Sequence, residues 1–205
     1  MKKAFLLSIL FAINLLVFSQ VSEEKVFNAQ RYFFYGFDFT HFKLAEAKRL
    51  NDGEKIKEYV FPWIELINQK ISVNDIANKM NKFIVPSYEV INELNQAIDG
   101  RNIVSTHENK INDLSILSSI NAYNLDEKEG VGFVIFVECF YKITESASAY
   151  YVFFDIASRE ILYKQRIVTN KPGGWGLTAF WGENLVKNFK VFLKAYKTEN
   201  KKFKK

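Results

Sequence analysis

The chain has 205 residues but only one cysteine, two histidines, three prolines and nine glycines. One cysteine excludes an intramolecular disulfide and any paired-cysteine zinc or redox site. The histidines, His41 and His107, stand in no ligand spacing with each other, a cysteine or a close acid, so no metal site and no histidine-based triad is expected. No nucleophile elbow, HExxH helix or phosphate-binding loop is present. Glycine and proline are too sparse for collagen-like or low-complexity sequence, and 48% hydrophobic with 25% charged residues argues against disorder. Aromatic residues are abundant: 20 Phe, 10 Tyr and 3 Trp favour strands and a heavily packed interior.

The longest apolar run is AFLLSILFAINLLVF at residues 4–18, behind Lys2 and Lys3. Fifteen helical residues span about 22 Å, short of the roughly 30 Å hydrocarbon core. The pattern reads as a signal peptide over residues 1–19, with Val17 and Ser19 before a cleavage point at Gln20. The mature protein is expected to be exported, periplasmic or extracellular, and without a stable membrane anchor. Cleavage would remove two lysines and no acid, lowering the formal charge from +5 to +3. Lys197, Lys201, Lys202, Lys204 and Lys205 crowd the end, so the body is near neutral and no nucleic-acid partner is expected. Residues 198–205 read as a solvated basic tail.

Residues 20–30 read as a polar lead-in and residues 31–197 as one α+β domain, a mixed or largely antiparallel sheet packed against helices. In residues 31–44, RYFFYGFDFTHFKL, strict alternation would place Phe33, Tyr35, Phe37, Phe39 and His41 on one strand face and Phe34, Gly36, Asp38, Thr40 and Phe42 on the other. Asn51-Asp52-Gly53 is a turn signal, and Ile56, Tyr59, Val60, Trp63, Ile64 and Ile67 recur at helical spacing around Pro62, which kinks or restarts that helix. Ser72 and Asp75 form a capping-box pattern. Phe83-Ile84-Val85 is a short strand, after which Pro86-Ser87 stops it and caps a helix striped by Val90, Ile91, Leu94 and Ile98. Residues 101–115 are polar and ambiguous. Four further strands are expected, at Ile116–Leu125, Val131–Ile143, Tyr150–Ile156 and Glu160–Val168, the last two joined as a hairpin. Several are apolar on both faces, which requires helices over the sheet. A helix from about Thr178 to Lys197, striped by Phe180, Leu185, Phe189, Phe192, Leu193 and Tyr196, closes the chain.

Cys139 sits in the apolar run VIFVECFYKI and reads as a buried structural thiol. Asp38, Glu138 and Asp155 are acids in apolar strands; they could form a carboxylate pair if the fold brought them together, or simply mark strand ends. Gly174-Trp175-Gly176-Leu177-Thr178-Ala179 matches a relaxed GxGxxA string, but too little chain follows for a dinucleotide fold. What the loop does offer is backbone freedom at Gly174 and Gly176, Thr178 as a candidate N-cap, and Trp175 and Trp181 beside a helix start. Such a helix start could bind an anion, or the loop could dock one tryptophan into the core.

GFDFTHFKL, PSYEVINELNQAI, YYVFFDIASREILYKQRI and PGGWGLTAFW together resemble a family of secreted Bacteroidota proteins without an assigned activity. In order and character these elements are also similar to the α/β domain shared by curli-secretion lipoproteins, penicillin-binding-protein activators and the TolB N-terminal region. The lipobox cysteine of the lipoproteins has no counterpart here. The resemblance implies a non-catalytic cell-envelope module that acts through protein contacts, with no cofactor and no catalytic residue. The leading expectation is therefore an exported interaction domain using Trp175, Trp181, Gly174 and Gly176 to bind a protein. A glycan-directed hydrolase would instead need two carboxylates about 5 to 9.5 Å apart in an open cleft. A carrier of an apolar ligand would need an enclosed pocket of a few hundred Å³.

Overall fold

The computed structural model describes residues 22–47, 50, 52–170 and 173–203. The expected leader at 1–19 lies outside them, as do Asn51, Pro172, Lys204 and Lys205. The elements in chain order are α1 (22–28), β1 (Arg31–Asp38), β2 (Lys43–Ala45), α2 (Gly53–Lys57), α3 (Val60–Lys70), α4 (Val73–Met80), β3 (Phe83–Pro86), α5 (Glu89–Gln96), a 3-10 turn (Gly100–Asn102), β4 (Val104–Ser105), α6 (Asp113–Ala122), β5 (Val131–Tyr141), β6 (Ser146–Asp155), β7 (Ile161–Thr169) and α7 (Gly176–Lys202). The fold is α+β, a single domain with one seven-stranded mixed sheet and a long C-terminal helix.

β5 is the central strand. One edge pairs antiparallel with β6, which pairs antiparallel with β7. The other edge holds β1 and then β2, both parallel to β5, opposite Val131–Phe136 and Cys139–Tyr141. β3 flanks β1 and β4 flanks β2, again in parallel. The outer column is thus broken between Pro86 and Val104. Asn95 of α5 fills part of the break: its amide donates to Phe37 O (2.8 Å) and accepts from Phe39 N (2.9 Å), the pairing a strand would otherwise supply.

Alternation puts Phe133, Ile135, Val137, Tyr151 and Phe153 under α7, α3 and α4, and Val134, Phe136, Val152 and Phe154 under α5 and α6. Residues 131–140 of β5 are buried without interruption, as two-sided cover requires. Aromatic rings stack through the first layer, Phe133 on Phe153 at 4.4 Å and Tyr151 on Phe192 at 4.0 Å.

Local signals explain most helices. Ser72 and Asp75 make the expected reciprocal box at the start of α4. Pro62 is the third residue of α3, so the helix restarts there without a kink. Other expectations need correction. The strict alternation over residues 31–42 fails at Gly36 (φ +92°), where a bulge keeps Phe37 on the same side as Phe34 and sends Asp38 to the side of Tyr35. Ile116–Leu125 is not a strand. Ile116, Ile120 and Tyr123 bury one face of α6 and its end, and the Asn112 side chain accepts from Ser115 N to start the helix. Ser87 does not cap α5; its hydroxyl donates to Glu127 instead (2.6 Å). The lead-in is structured, because α1 buries Val26 and Phe27, and Phe27 stacks on Phe203 at 4.7 Å. α7 runs to Lys202, so Lys201 and Lys202 of the expected tail are exposed residues of the helix.

Two buried asparagines one turn apart lock α7 onto the sheet. The Asn188 amide donates to Ala147 O, Ile167 O and Thr169 Oγ1 and accepts from Tyr151 Oη. Thr169 Oγ1 passes the chain on to Asn184 Oδ1 (2.8 Å), and Asn184 Nδ2 donates to Glu145 O (3.0 Å). Asn188→Leu keeps the volume but strands buried polar groups on β6 and β7. It is expected to cost about 3 kcal/mol and lower Tm by about 6 to 12 °C, read by calorimetry.

Candidate functional site

The glycine-rich loop enters α7 through two left-handed residues, Gly174 (φ +85°) and Gly176 (φ +78°). A Cβ on Gly174 would stand 2.6 Å from the Cβ of Ala179, so this position accepts only glycine. Trp175, extended between them, is the N-cap residue and makes no side-chain cap bond; Thr178, the expected cap, lies inside the first turn. Trp175 is 98% exposed, whereas Trp181 is 1% exposed, stacked on Phe140 at 4.7 Å. Six residues of helix place the two indoles on different faces. Trp181 is therefore a core residue and not a binding residue, and Trp175 with its flanking glycines is what remains at the surface.

The three strand acids are all buried, each with its own partners. Asp38 accepts from Tyr123 Oη (2.5 Å), Thr40 N and Thr40 Oγ1. Glu138 accepts from Ile111 N (2.9 Å) and pairs with Arg166 of β7 (2.6 Å). Asp155 accepts from Ser158 N (2.7 Å) in the β6–β7 turn and pairs with Lys25 of α1. Asp38 lies opposite Phe136, two residues before Glu138 in β5, and both acids reach toward the α6 layer. Asp155 lies opposite Val131, seven residues back along β5 or about 23 Å. Two of the three thus become neighbours, but both are 0% exposed and no open cleft separates them.

His41 and Ser119 come within 2.8 Å, Nε2 to Oγ, a proximity that the sequence did not announce. Ser119 lies within α6, where the surrounding N–H groups are bonded along the helix and none is free to hold an oxyanion. His107 is exposed, next to the Ser105 turn. Cys139 is buried, and burial pushes its thiol up to about 11, the opposite of an activated nucleophile.

A concavity that sequence reasoning missed opens beside the break in the outer column. Between α3 and α5 a groove of about 510 Å³ is lined by Phe37, Phe61, Ile64 and Tyr88, with the amides of Asn68 and Asn92 at its margin. The only local hints were Pro86, which ends β3, and Gly36, whose bulge lets Tyr88 pack within 3.2 Å of where a Cβ would stand.

Among the described residues no group of three or more histidine, cysteine or acidic side chains could hold a metal ion, and no helix is long and apolar enough to cross a membrane. No protein-family model matches the sequence, and no match is found among curated proteins.

Burial alone would raise the Asp155 carboxyl, but the Lys25 ammonium and the Ser158 donors override it and hold the group below the usual aspartate range. A depressed folded pKa stabilises the fold above the unfolded value, about 3.9, and that contribution is lost as pH falls through the folded value. Asp155→Asn is expected to cost about 1 kcal/mol at pH 7, since Lys25 is half exposed. The difference from wild type should shrink toward zero below about pH 3, measured by urea unfolding across that range.

Proposed function

We propose that this chain is an exported, non-catalytic interaction domain of the bacterial cell envelope that binds a protein partner with Trp175 as its anchor. The observation that carries the reading is the contrast among the three tryptophans: Trp63 and Trp181 are in the core, while Trp175 is held out on a glycine-flanked turn at the start of the longest helix. An exposed indole offers about 200 Å² of apolar surface with few torsions to freeze, the usual make-up of a binding hot spot. The lysine-led apolar run at residues 2–18 supports export. The similarity to curli-secretion lipoproteins, penicillin-binding-protein activators and the TolB N-terminal region supports an envelope setting. The partners engaged by Asp38, Glu138 and Asp155 support a structural role for these acids.

Trp175→Ala should leave the circular dichroism and Tm of the protein unchanged, because the side chain is almost fully solvated. Against an envelope extract, the folded variant is expected to lose at least about tenfold in recovery of whatever discrete protein the wild type retains, the cost of truncating a hot spot. Equal recovery by both would remove Trp175 from the proposal. Export is checked separately: mass spectrometry of the protein from the cell envelope or medium should give a chain beginning at Gln20, and an intact Met1 terminus in the cytosol would contradict it.

A further inference from the structure

The second large groove, about 520 Å³, runs between the end of α4 and the C-terminal half of α7. Lys190, Lys194, Lys197 and Lys201 follow at i, i+4, i+7 and i+11 and so share one face of α7, and Lys79 of α4 faces them. No acid lines the groove. Among the described residues none of the five lysines makes an ion pair; exposed Asp75, one turn before Lys79, is bonded to Ser72, and Glu199 of α7 pairs with Lys202. Like charges at these spacings repel, so the stripe destabilises the helix that carries it.

The floor is apolar and closed, formed by buried Met80 and Leu193. Beside them Asn200 is 5% exposed and lines the groove, and its side-chain amide, which reaches solvent there, makes no hydrogen bond among the described residues. An amide that opens into a groove and is bonded to no protein group is available to a ligand. It presents a donor and an acceptor together, which matches the N–H and C=O of a peptide backbone.

From these observations we infer that the α4–α7 groove binds a short, extended, acidic peptide segment of a partner protein. Lysine ammonium groups on both rims would pair with its carboxylates, Asn200 with its backbone, and the aliphatic stems of the lysines, laid over buried Met80 and Leu193, with its alternate apolar side chains. The Lys190–Lys201 stripe is about 16 Å long, the span of about five extended residues. A flat bilayer fits a concave groove poorly. A nucleic-acid strand would lack the aromatic stacking platform it uses, because no ring lines this groove. The site lies 15 to 26 residues further along α7 than Trp175, so each surface can fail without the other.

The test uses the mature protein and a fluorescein-labelled octapeptide of alternating glutamate and leucine, followed by anisotropy at low ionic strength. Saturable binding to the wild type is expected. The double variant Lys194→Gln/Lys197→Gln should weaken it at least about tenfold while melting no lower than wild type, since it removes repulsion. Asn200→Ala, which alters no charge, should weaken it about fivefold. The inference is overturned by unchanged affinity in either variant, or by a lower Tm in the lysine variant. It is also overturned if inorganic polyphosphate, or vesicles with about 30% phosphatidylglycerol, bind more tightly than the peptide and are indifferent to Asn200→Ala.

Discussion

β5 is apolar on both faces along residues 131–140, and no strand of that kind can stand at a solvated surface. The rest of the chain answers that constraint. β6 and the β1/β2 column cover its edges, α7, α3 and α4 cover one face, and α5 and α6 cover the other. The aromatic excess goes largely into this arrangement, in stacks such as Phe133 on Phe153 and Phe140 on Trp181. Apolar contact alone would let a long helix slide on such a surface. Asn184 and Asn188 supply direction, because their amides meet particular carbonyls of the β6 and β7 strands and their turns.

The acids follow the same logic. A carboxylate inside a two-sided sheet is tolerated only with close partners. Asp38 and Glu138 find theirs in Tyr123 and Arg166, 85 and 28 residues distant in the chain. Their burial and pairing account for acids in apolar strands without invoking proton transfer. With the interior closed, the candidate surfaces are peripheral: Trp175 at one end of α7, the lysine groove toward the other, and the concavity beside the break that Asn95 bridges.

Elements whose causes are local were legible from the residues alone. The capping box of α4, the β6–β7 hairpin, the stripe of α7 and the burial of Cys139 depend on neighbours within a turn or a strand. α6 was misread because Ile116, Ile120 and Tyr123 favour strands by propensity, whereas their i, i+4, i+7 spacing buries one helix face. The lead-in was misread because Val26 and Phe27 have no local reason to be ordered; their partners are Tyr32, Tyr196 and Phe203.

The sequence by itself determined the class of the protein: one α+β domain, a sheet needing helices over at least one face, and a thiol fit for the interior. Periodicity and caps act over a few residues, which is why these followed. Only the tertiary structure decided what faces solvent. It separated Trp175 from Trp181, gave each strand acid its partner, and set Lys79 of α4 opposite the lysines of α7 around the Asn200 amide. Those outcomes depend on how elements distant in the chain pack together, and no local pattern encodes them.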